Sequence, residues 1–306
     1  HNPANQPIEL VVLPEGDDSW SFGEDHVHLQ IAPGARATAT IAVRRKSLDA
    51  MMAPSMPRVL LRTDYLSGGL RIALPEMRKE LSLVPGDLRD LEDTPPGSVV
   101  LDGSDGTCLR VEHSSLQVHD GALTVEAFVR ADDDKGRRTV VAKTESSEYG
   151  LYLNDGKPTF TIRLGKAYVT VAAKPLSKEA QWHHLAGVHD GAEVRLYVDG
   201  ALAAQKPGSG SRTTNELPLY VGADTDGKGQ PTSFFLGAID ELRISNVARY
   251  TAKKFAPPLR HEPDADTALL LRFDVDHGAF TADASGKGAH ARRLGRARCS
   301  TSPTAK

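Results

Sequence analysis

Short runs of alternating apolar and polar residues, separated by Asp-Gly or Pro-Gly turns, constrain this chain more than any other sequence feature. The run Leu123–Arg130 reads Leu-Thr-Val-Glu-Ala-Phe-Val-Arg, with the period of two typical of a strand that has one buried face. Asn154-Asp-Gly-Lys157 separates two further strand-like runs, and Asp-Gly accepts the positive φ angles of tight hairpins. The pattern predicts an all-β chain of antiparallel strands, arranged as a sandwich or jelly roll.

Two strand-rich blocks are separated by a stretch that does not suit a strand. Residues 88–97 are highly charged and end in Pro-Pro-Gly, and proline cannot donate to a sheet ladder. We therefore predict a small N-terminal β-sandwich over residues 1–87, with an immunoglobulin-like fold as one alternative. A linker over 88–97, a second domain over 98–299 and a flexible tail over 300–306 follow. Within the first block, the alternation from Ala35 to Val43 predicts one of the strands.

The charge balance and the apolar runs exclude some classes of partner. The chain has 37 basic and 40 acidic residues, a formal net charge of −3, which does not favour nucleic acid or an anionic surface. Its apolar runs are too short to predict insertion into a membrane. The first residue is His1 rather than methionine, so we expect a mature product or a piece of a longer polypeptide.

Five segments in the second block resemble, in order, the strands of a known family. The most specific is the pair Gln181–Val188 (Gln-Trp-His-His-Leu-Ala-Gly-Val) and Leu196–Gly200 (Leu-Tyr-Val-Asp-Gly). The other four are Val100–Gly103, Leu123–Arg130, Phe235–Ile244, and Leu269–Asp274 with Asp283–His290. Together they cover about residues 98–295 and resemble laminin-G-like jelly rolls of the concanavalin A-like lectin/glucanase superfamily. The N-terminal block is not covered by this resemblance.

The resemblance implies a non-catalytic recognition or adhesion module. Its expected ligand is a carbohydrate or an extracellular protein, and its expected location is secreted, cell-surface or periplasmic. Two alternatives stay open from the sequence: a divergent glycoside hydrolase or lyase that uses one sheet face, and a purely structural spacer or assembly domain.

The carboxylates and histidines argue against catalysis. Glycoside hydrolysis needs two carboxylates flanking the scissile bond, and same-face strand residues lie two apart. Asp240 and Glu241 are adjacent and are expected on opposite faces, while Glu126 stands alone on its strand. The neighbouring His183 and His184 are likewise expected on opposite faces, in a structural role rather than as joint metal ligands. We therefore predict that the protein is not an enzyme.

The resemblance also implies a structural calcium ion and a disulfide. Laminin-G-like domains often hold Ca²⁺ at the rim of the sandwich, and the matching positions are Asp102 and Asp240. The equally weighted alternative is that these carboxylates cap strand ends. Because the first and last strands of the architecture approach each other, we expect a Cys108–Cys299 disulfide; two buried thiols are the alternative.

Overall fold

The computed structural model describes residues 2–16, 20–45, 58–67, 70–80, 97–117, 121–176 and 181–300. The chain divides into two compact units, His1–Pro85 and Gly86–Lys306. Apart from Gly97, the predicted linker lies outside the described residues, as do residues 301–306 of the predicted tail. Strands dominate these ranges, and their one helical element is a 3-10 turn, Ser114–Leu116. The all-β, antiparallel prediction is confirmed.

The first unit contains a five-stranded antiparallel sheet and a two-stranded sheet. Its strands are β1 Ile8–Glu15, β2 Trp20–Phe22, β3 Val27–Ile31, β4 Val43–Arg45, β5 Arg58–Ser67, β6 Leu70–Ala73 and β7 Met77–Glu80. The larger sheet has the order β3-β1-β5-β6, with β7 also paired to β5, and β2 pairs with β4. The strand predicted over Ala35–Val43 is wrong, because only Val43 is in a strand. The alternating alanines there are partly or fully exposed and have little apolar area to bury.

The first ten strands of the second unit all belong to its two packed sheets. These are β8 Ser98–Asp102, β9 Cys108–Val111, β10 Leu123–Ala131, β11 Arg137–Lys143, β12 Tyr149–Asn154, β13 Lys157–Leu164, β14 Ala167–Ala172, β15 His183–His189, β16 Glu193–Val198 and β17 Ala201–Pro207. The remaining strands are β18 Leu219–Val221, β19 Asp224–Thr225, β20 Pro231–Thr232, β21 Leu236–Ser245, β22 Thr267–Leu271, β23 Phe280–Thr281, β24 Ala291–Leu294 and β25 Arg298–Ser300.

The two sheets of this unit have eight strands each. Sheet I has the order β17-β16-β15-β10-β21-β8-β25, with β22 also paired to β21. Sheet II has the order β14-β13-β12-β11-β18-β9-β24-β23, and β19 and β20 form a separate hairpin. Strands distant in sequence are thus neighbours in space, as in a jelly roll.

Side chains from both sheets form one apolar core. Val125 and Leu185 of sheet I and Leu151 and Phe160 of sheet II have no exposed surface and belong to the same cluster. Inward residues alternate with outward ones along each strand, so each sheet also has an outer face. The predicted Asn154–Lys157 hairpin is confirmed, and Asp155 and Gly156 have φ of 48° and 71°, as a type I′ turn requires.

Candidate functional site

An open cleft of about 440 Å³ lies on the outer face of sheet II. Strand alternation explains its lining. Phe160 and Ile162 of β13 enter the core, so the alternate residues Thr159 and Thr161 face outward. The hydroxyl-bearing side chains that β13 and β14 place in the cleft are Thr159, Thr161, Tyr168 and Thr170. Thr161 Oγ1 and Thr170 Oγ1 lie 2.9 Å apart across the two strands. The cleft therefore has a polar wall with several groups that both donate and accept hydrogen bonds.

Tyr152 forms the buried part of the cleft and supports an arginine. Its ring is 1% exposed, and the Arg137 guanidinium carbon lies 3.9 Å from the ring centroid. A Cβ at Gly150 would lie 2.0 Å from the Tyr152 hydroxyl oxygen, so only glycine lets this ring lie along the sheet. Stacking fixes the plane of the guanidinium before any ligand arrives.

Asp224 holds the other side of Arg137. Its Oδ2 lies 2.8 Å from Arg137 Nη2, while Oδ1 accepts hydrogen bonds from Thr144 Oγ1 at 2.6 Å and from the Thr225 backbone N–H at 2.9 Å. Both carboxylate oxygens are therefore occupied by protein donors. The arginine and the aspartate form a rigid, internally neutralised pair within the cleft.

A rim loop, residues 144–148, borders the cleft in an uncommon backbone conformation. Glu145, Ser146 and Glu148 have φ of 74°, 58° and 48°, in the left-handed region that costs energy for residues other than glycine. The Tyr168 hydroxyl ties the loop down, because it donates to the Ser147 carbonyl at 2.9 Å and accepts from the Ser147 N–H at 3.1 Å. Thus an aromatic residue of the wall also fixes the rim.

A buried ionic cluster stabilises the same loop from within. Glu148 is fully buried, 3.6 Å from Lys143 Nζ and 3.2 Å from Arg212 Nη2. Burial raises the pKa of Glu148 and lowers the pKa of Lys143, so each charge depends on its partners. Lys143 Nζ also donates to the Asn215 carbonyl and to Asn215 Oδ1. The strained rim is therefore held by several buried contacts and is preorganised.

A second polar cluster lies on sheet I, around the buried Glu126. Glu126 Oε1 accepts from Arg243 Nε at 2.8 Å. Its Oε2 accepts from Tyr250 Oη at 2.7 Å and from His184 Nε2 at 3.1 Å, and His261 Nε2 lies 3.6 Å away. Burial alone would raise the Glu126 pKa, but the His184 hydrogen bond and the charges of His261 and Arg243 outweigh it and lower the pKa to about 2.

The capping segment, residues 246–266, covers this cluster. Tyr250 and Phe255 of the segment are stacked with ring centroids 3.7 Å apart. Both pack against Tyr197 on the outer face of sheet I. The Glu126 cluster is thus sealed between sheet and segment, whereas the sheet II cleft is open.

Three atoms of the Glu126 cluster have the chemistry of metal ligands. Glu126 Oε2, His184 Nε2 and His261 Nε2 all lie within 4.8 Å of one another. However, the carboxylate already accepts from Arg243, Tyr250 and His184. A divalent ion would add positive charge beside a buried guanidinium, at a large desolvation cost. The cluster fits a charge-balanced structural network better than a metal centre.

The predicted calcium ligands do not converge. Strands β8 and β21 are neighbours as expected, but Asp102 lies opposite Leu236, four residues before Asp240. At the usual strand rise, four residues separate the two backbone positions by about 13 Å along the sheet. Two carboxylate oxygens bound to one Ca²⁺ lie within about 5 Å of each other. Asp102 Oδ1 instead accepts from the N–H and hydroxyl of Ser104, which corresponds to the strand-capping alternative. Asp102 and Asp240 do not fit a shared calcium ion.

A β-bulge changes the expected direction of Glu241. The pairing of β21 with β10 shifts between Arg243 and Asp240, and Glu241 has a φ of 49°. Glu241 Oε2 accepts from the His261 N–H at 2.7 Å, which places this side chain under the capping segment. Asp240 pairs with Phe128, which lies outside the core, and Ile239 and Leu242 on either side of the two carboxylates are core residues. The expectation of opposite faces for Asp240 and Glu241 therefore fails, because a bulge interrupts strand alternation.

His183 and His184 do face opposite sides of sheet I. Their β10 partners in the register are Val129, which is in the core, and Phe128, which is not. His183 Nδ1 lies 2.8 Å from Asp199 Oδ2, in the turn after β16, and His184 joins the Glu126 cluster.

The structure does not join Cys108 to Cys299. The last strand, β25, does pair with the first, β8, and Cys299 lies opposite the core residue Val99. Cys108 lies on β9 of sheet II and packs with Tyr220 and Ala223, on the side opposite its core neighbour Leu109. The two thiols thus lie on different sheets, and the Cys108 side chain points away from the core that Cys299 faces.

The cleft residues were not among the site residues predicted from the sequence. The signal that was available is the alternation Thr159-Phe-Thr-Ile162 followed by Tyr168-Val-Thr-Val171, which places hydroxyl groups on one face of two consecutive strands. Arg137 and Asp224 had no such signal, since they are 87 positions apart (224 − 137) and meet only through sheet pairing.

Comparison with known proteins identifies the second unit. The family model of the concanavalin A-like lectin/glucanases superfamily known as Laminin_G_3 matches residues 102–253. Human laminin subunit alpha-3 is 29% identical over 111 residues, which are 35% of this chain and 3% of that protein. The chain therefore spans only a small fraction of the length of this relative. Among the described residues, no helix has both the length and the apolarity to cross a membrane.

Two solved structures align with most of this chain. A putative carbohydrate binding protein from Bacteroides ovatus ATCC 8483 aligns with a TM-score of 0.52 and 15% identity, covering 98% of this chain and 89% of that one. Domains LG4-5 of the mouse laminin alpha1 chain align with a TM-score of 0.41 and 14% identity, covering 83% of this chain and 88% of that one. The family model, which matches residues 102–253, shows that this part of the chain belongs to the concanavalin A-like lectin/glucanases superfamily and forms a laminin-G-like jelly roll.

Proposed function

We propose that the second unit is a non-catalytic carbohydrate-recognition module and that the sheet II cleft is its binding site. The observation that carries the proposal is the cleft itself: about 440 Å³, open to solvent and lined by hydroxyl groups, a guanidinium and an exposed tyrosine. Saccharides present hydroxyl groups on their edges and apolar C–H groups on their faces. Such ligands match threonine hydroxyls and an aromatic ring such as that of Tyr168.

Preorganisation supports recognition over a spacer role. The rim loop keeps three residues other than glycine at positive φ, and the Tyr168 contact and the Glu148 cluster hold it there. Strain of this kind is concentrated at functional sites. The name of the Bacteroides ovatus protein, a putative carbohydrate binding protein, is consistent with this function.

The state of the cleft carboxylates supports a non-catalytic module. Glu145 and Asp224 both line the cleft, and hydrolysis needs one carboxyl as acid and a second as base or nucleophile. Both oxygens of Asp224 already accept from Arg137, Thr144 and Thr225, so neither is presented for proton transfer. Location outside the cytoplasm stays a prediction that accompanies this function.

Removing hydroxyl groups from the cleft tests the proposal. The double variant Thr161→Val/Thr170→Val keeps the β-branched shape that suits a strand but deletes two hydrogen-bonding groups. We expect saccharide affinity to fall at least about tenfold, since each lost hydrogen bond contributes about 1 kcal/mol. Binding would be measured on a glycan array and then by calorimetry with the best saccharide.

The matched control is Thr251→Val, because Thr251 is exposed in the capping segment over the other sheet. This variant should bind like the original protein. Equal binding by the cleft variant would exclude the cleft as the site. Release of reducing sugar by the unmodified protein, abolished by Glu145→Gln, would contradict the non-catalytic assignment.

A further inference from the structure

We infer that the cleft selects uncharged saccharides over acidic ones and that Asp224 determines this selectivity. The inference rests on the proposed function and names the class of ligand for the same site. Within the lining, the acidic residues are Glu145 and Asp224, and the basic residue is Arg137, whose guanidinium pairs with Asp224. Carboxylates therefore outnumber cationic groups in the lining. Repulsion between like charges then disfavours a carboxylated or sulfated ligand.

Arg137 is the group that would otherwise bind an anion. Its Nη2 is 2.8 Å from Asp224 Oδ2, and one face of its guanidinium lies on Tyr152. Recognition of a carboxylate or sulfate by arginine uses two parallel N–H donors, and here Asp224 already holds the Nη2 end. The remaining donors suit single hydrogen bonds to hydroxyl or ring oxygens, as an uncharged saccharide provides.

Asp224 is itself fixed and cannot turn away to release the arginine. Thr144 Oγ1 and the Thr225 N–H hold its Oδ1, so its carboxylate remains directed at Arg137. At the rim, the exposed Glu145 adds a second negative charge. Arg163 lies beside the cleft on the same face of β13 as Thr161 and opposite Tyr168 in the register, with its guanidinium 5.3 Å from the centroid of the Tyr168 ring, but it does not belong to the lining.

The test compares neutral and acidic forms of the same saccharides. A glycan array would carry each backbone without charge and with a sulfate, uronate or sialic acid group, at low salt and at physiological salt. The unmodified protein should bind the neutral forms at least about tenfold more tightly. The variant Asp224→Asn/Glu145→Gln releases Arg137 and removes both negative charges, so it should gain salt-sensitive binding to the acidic forms.

The control is Asp226→Asn, which makes the same single charge change as Asp224→Asn at a partly buried turn two residues away and outside the cleft lining. Its preference for neutral saccharides should equal that of the unmodified protein. Preferential binding of acidic forms by the unmodified protein, lost in Arg137→Met, would overturn the inference but leave carbohydrate binding intact. The inference would also be overturned if Asp224→Asn/Glu145→Gln kept the same preference for neutral over acidic saccharides as the unmodified protein. If the unmodified protein binds no saccharide in either form, the proposed function itself fails.

Discussion

At the scale of single residues, Glu126 shows how a charge is kept in a dry interior. The side chain has no exposed surface, and three side chains from β21, β15 and the capping segment donate to it. Unpaired, such a charge would cost several kcal/mol. The carboxylate therefore organises the outer side of sheet I, and its role is distinct from that of the open cleft on sheet II.

Replacing Glu126 tests this account. Glu126→Gln leaves Arg243 buried without its anionic partner, so we expect the unfolding free energy to fall by about 3–5 kcal/mol. The exposed Glu112, which pairs with Arg110, offers the matched control Glu112→Gln, expected to change stability by less than about 0.5 kcal/mol. Urea unfolding at neutral pH measures both.

The loss of unfolding free energy caused by Glu126→Gln should decrease as the pH is lowered. The Glu126 pKa falls from 4.5 to about 2 on folding. Its ionised form therefore contributes stability that is fully present above the unfolded value and lost as the pH falls from about 4.5 towards 2. The difference between the unmodified protein and Glu126→Gln should shrink over this window. A difference that stays constant down to pH 2 would contradict the assigned pKa.

At the scale of structural elements, β21 depends on two departures from regular strand geometry. The bulge at Glu241 turns this carboxylate towards the capping segment. Gly237 has a φ of 138°, and a Cβ there would lie 2.0 Å from the Arg130 carbonyl oxygen on β10. Both departures lie along the β10–β21 pair, a central pair of sheet I.

A pair of glycine substitutions separates crowding from backbone strain. Gly237→Ala forces β10 and β21 apart, and we expect a loss above about 3 kcal/mol or a failure to fold. Gly106→Ala also meets a positive φ, 82°, but has no atom within 4 Å of the new Cβ, so its expected loss is about 1 kcal/mol. Thermal unfolding followed by circular dichroism compares them. Equal losses would mean that crowding at Gly237 is relieved at little cost.

At the scale of the whole molecule, each unit carries its own sheets. The five-stranded and two-stranded sheets belong to His1–Pro85, and the two eight-stranded sheets belong to Gly86–Lys306. The second unit has an extensive core drawn from both of its large sheets. These are properties of a domain that is able to fold alone.

We expect a chain that starts at Gly86 to fold without the first unit. It should show a cooperative thermal transition and a β-type far-ultraviolet spectrum. It should also keep the saccharide affinity of the full chain, because every residue of the cleft lies after Gly86. A soluble but non-cooperative product would show that the second unit requires the first.

The sequence by itself determined many of the strands of the second unit, several of its hairpins and the family, but not strands such as β11, Arg137–Lys143. Alternation such as Leu123–Arg130 and turns such as Asp155-Gly156 are local, since burial of one face and tolerance of positive φ act within a few residues. The same local pattern gave a wrong strand prediction at Ala35–Val43, because the alternating residues there have too little apolar area to bury.

Only the tertiary structure decided which distant residues meet. Register separates Asp102 from Asp240, and sheet assignment keeps Cys108 from Cys299. Sheet pairing brings Arg137 to Asp224, and the capping segment brings His261 to Glu126. Alternation specifies the face of a strand on which a side chain lies, but its lateral neighbours depend on long-range hydrogen-bonded pairing and on bulges. Those follow from the packing of the whole core, to which every strand contributes.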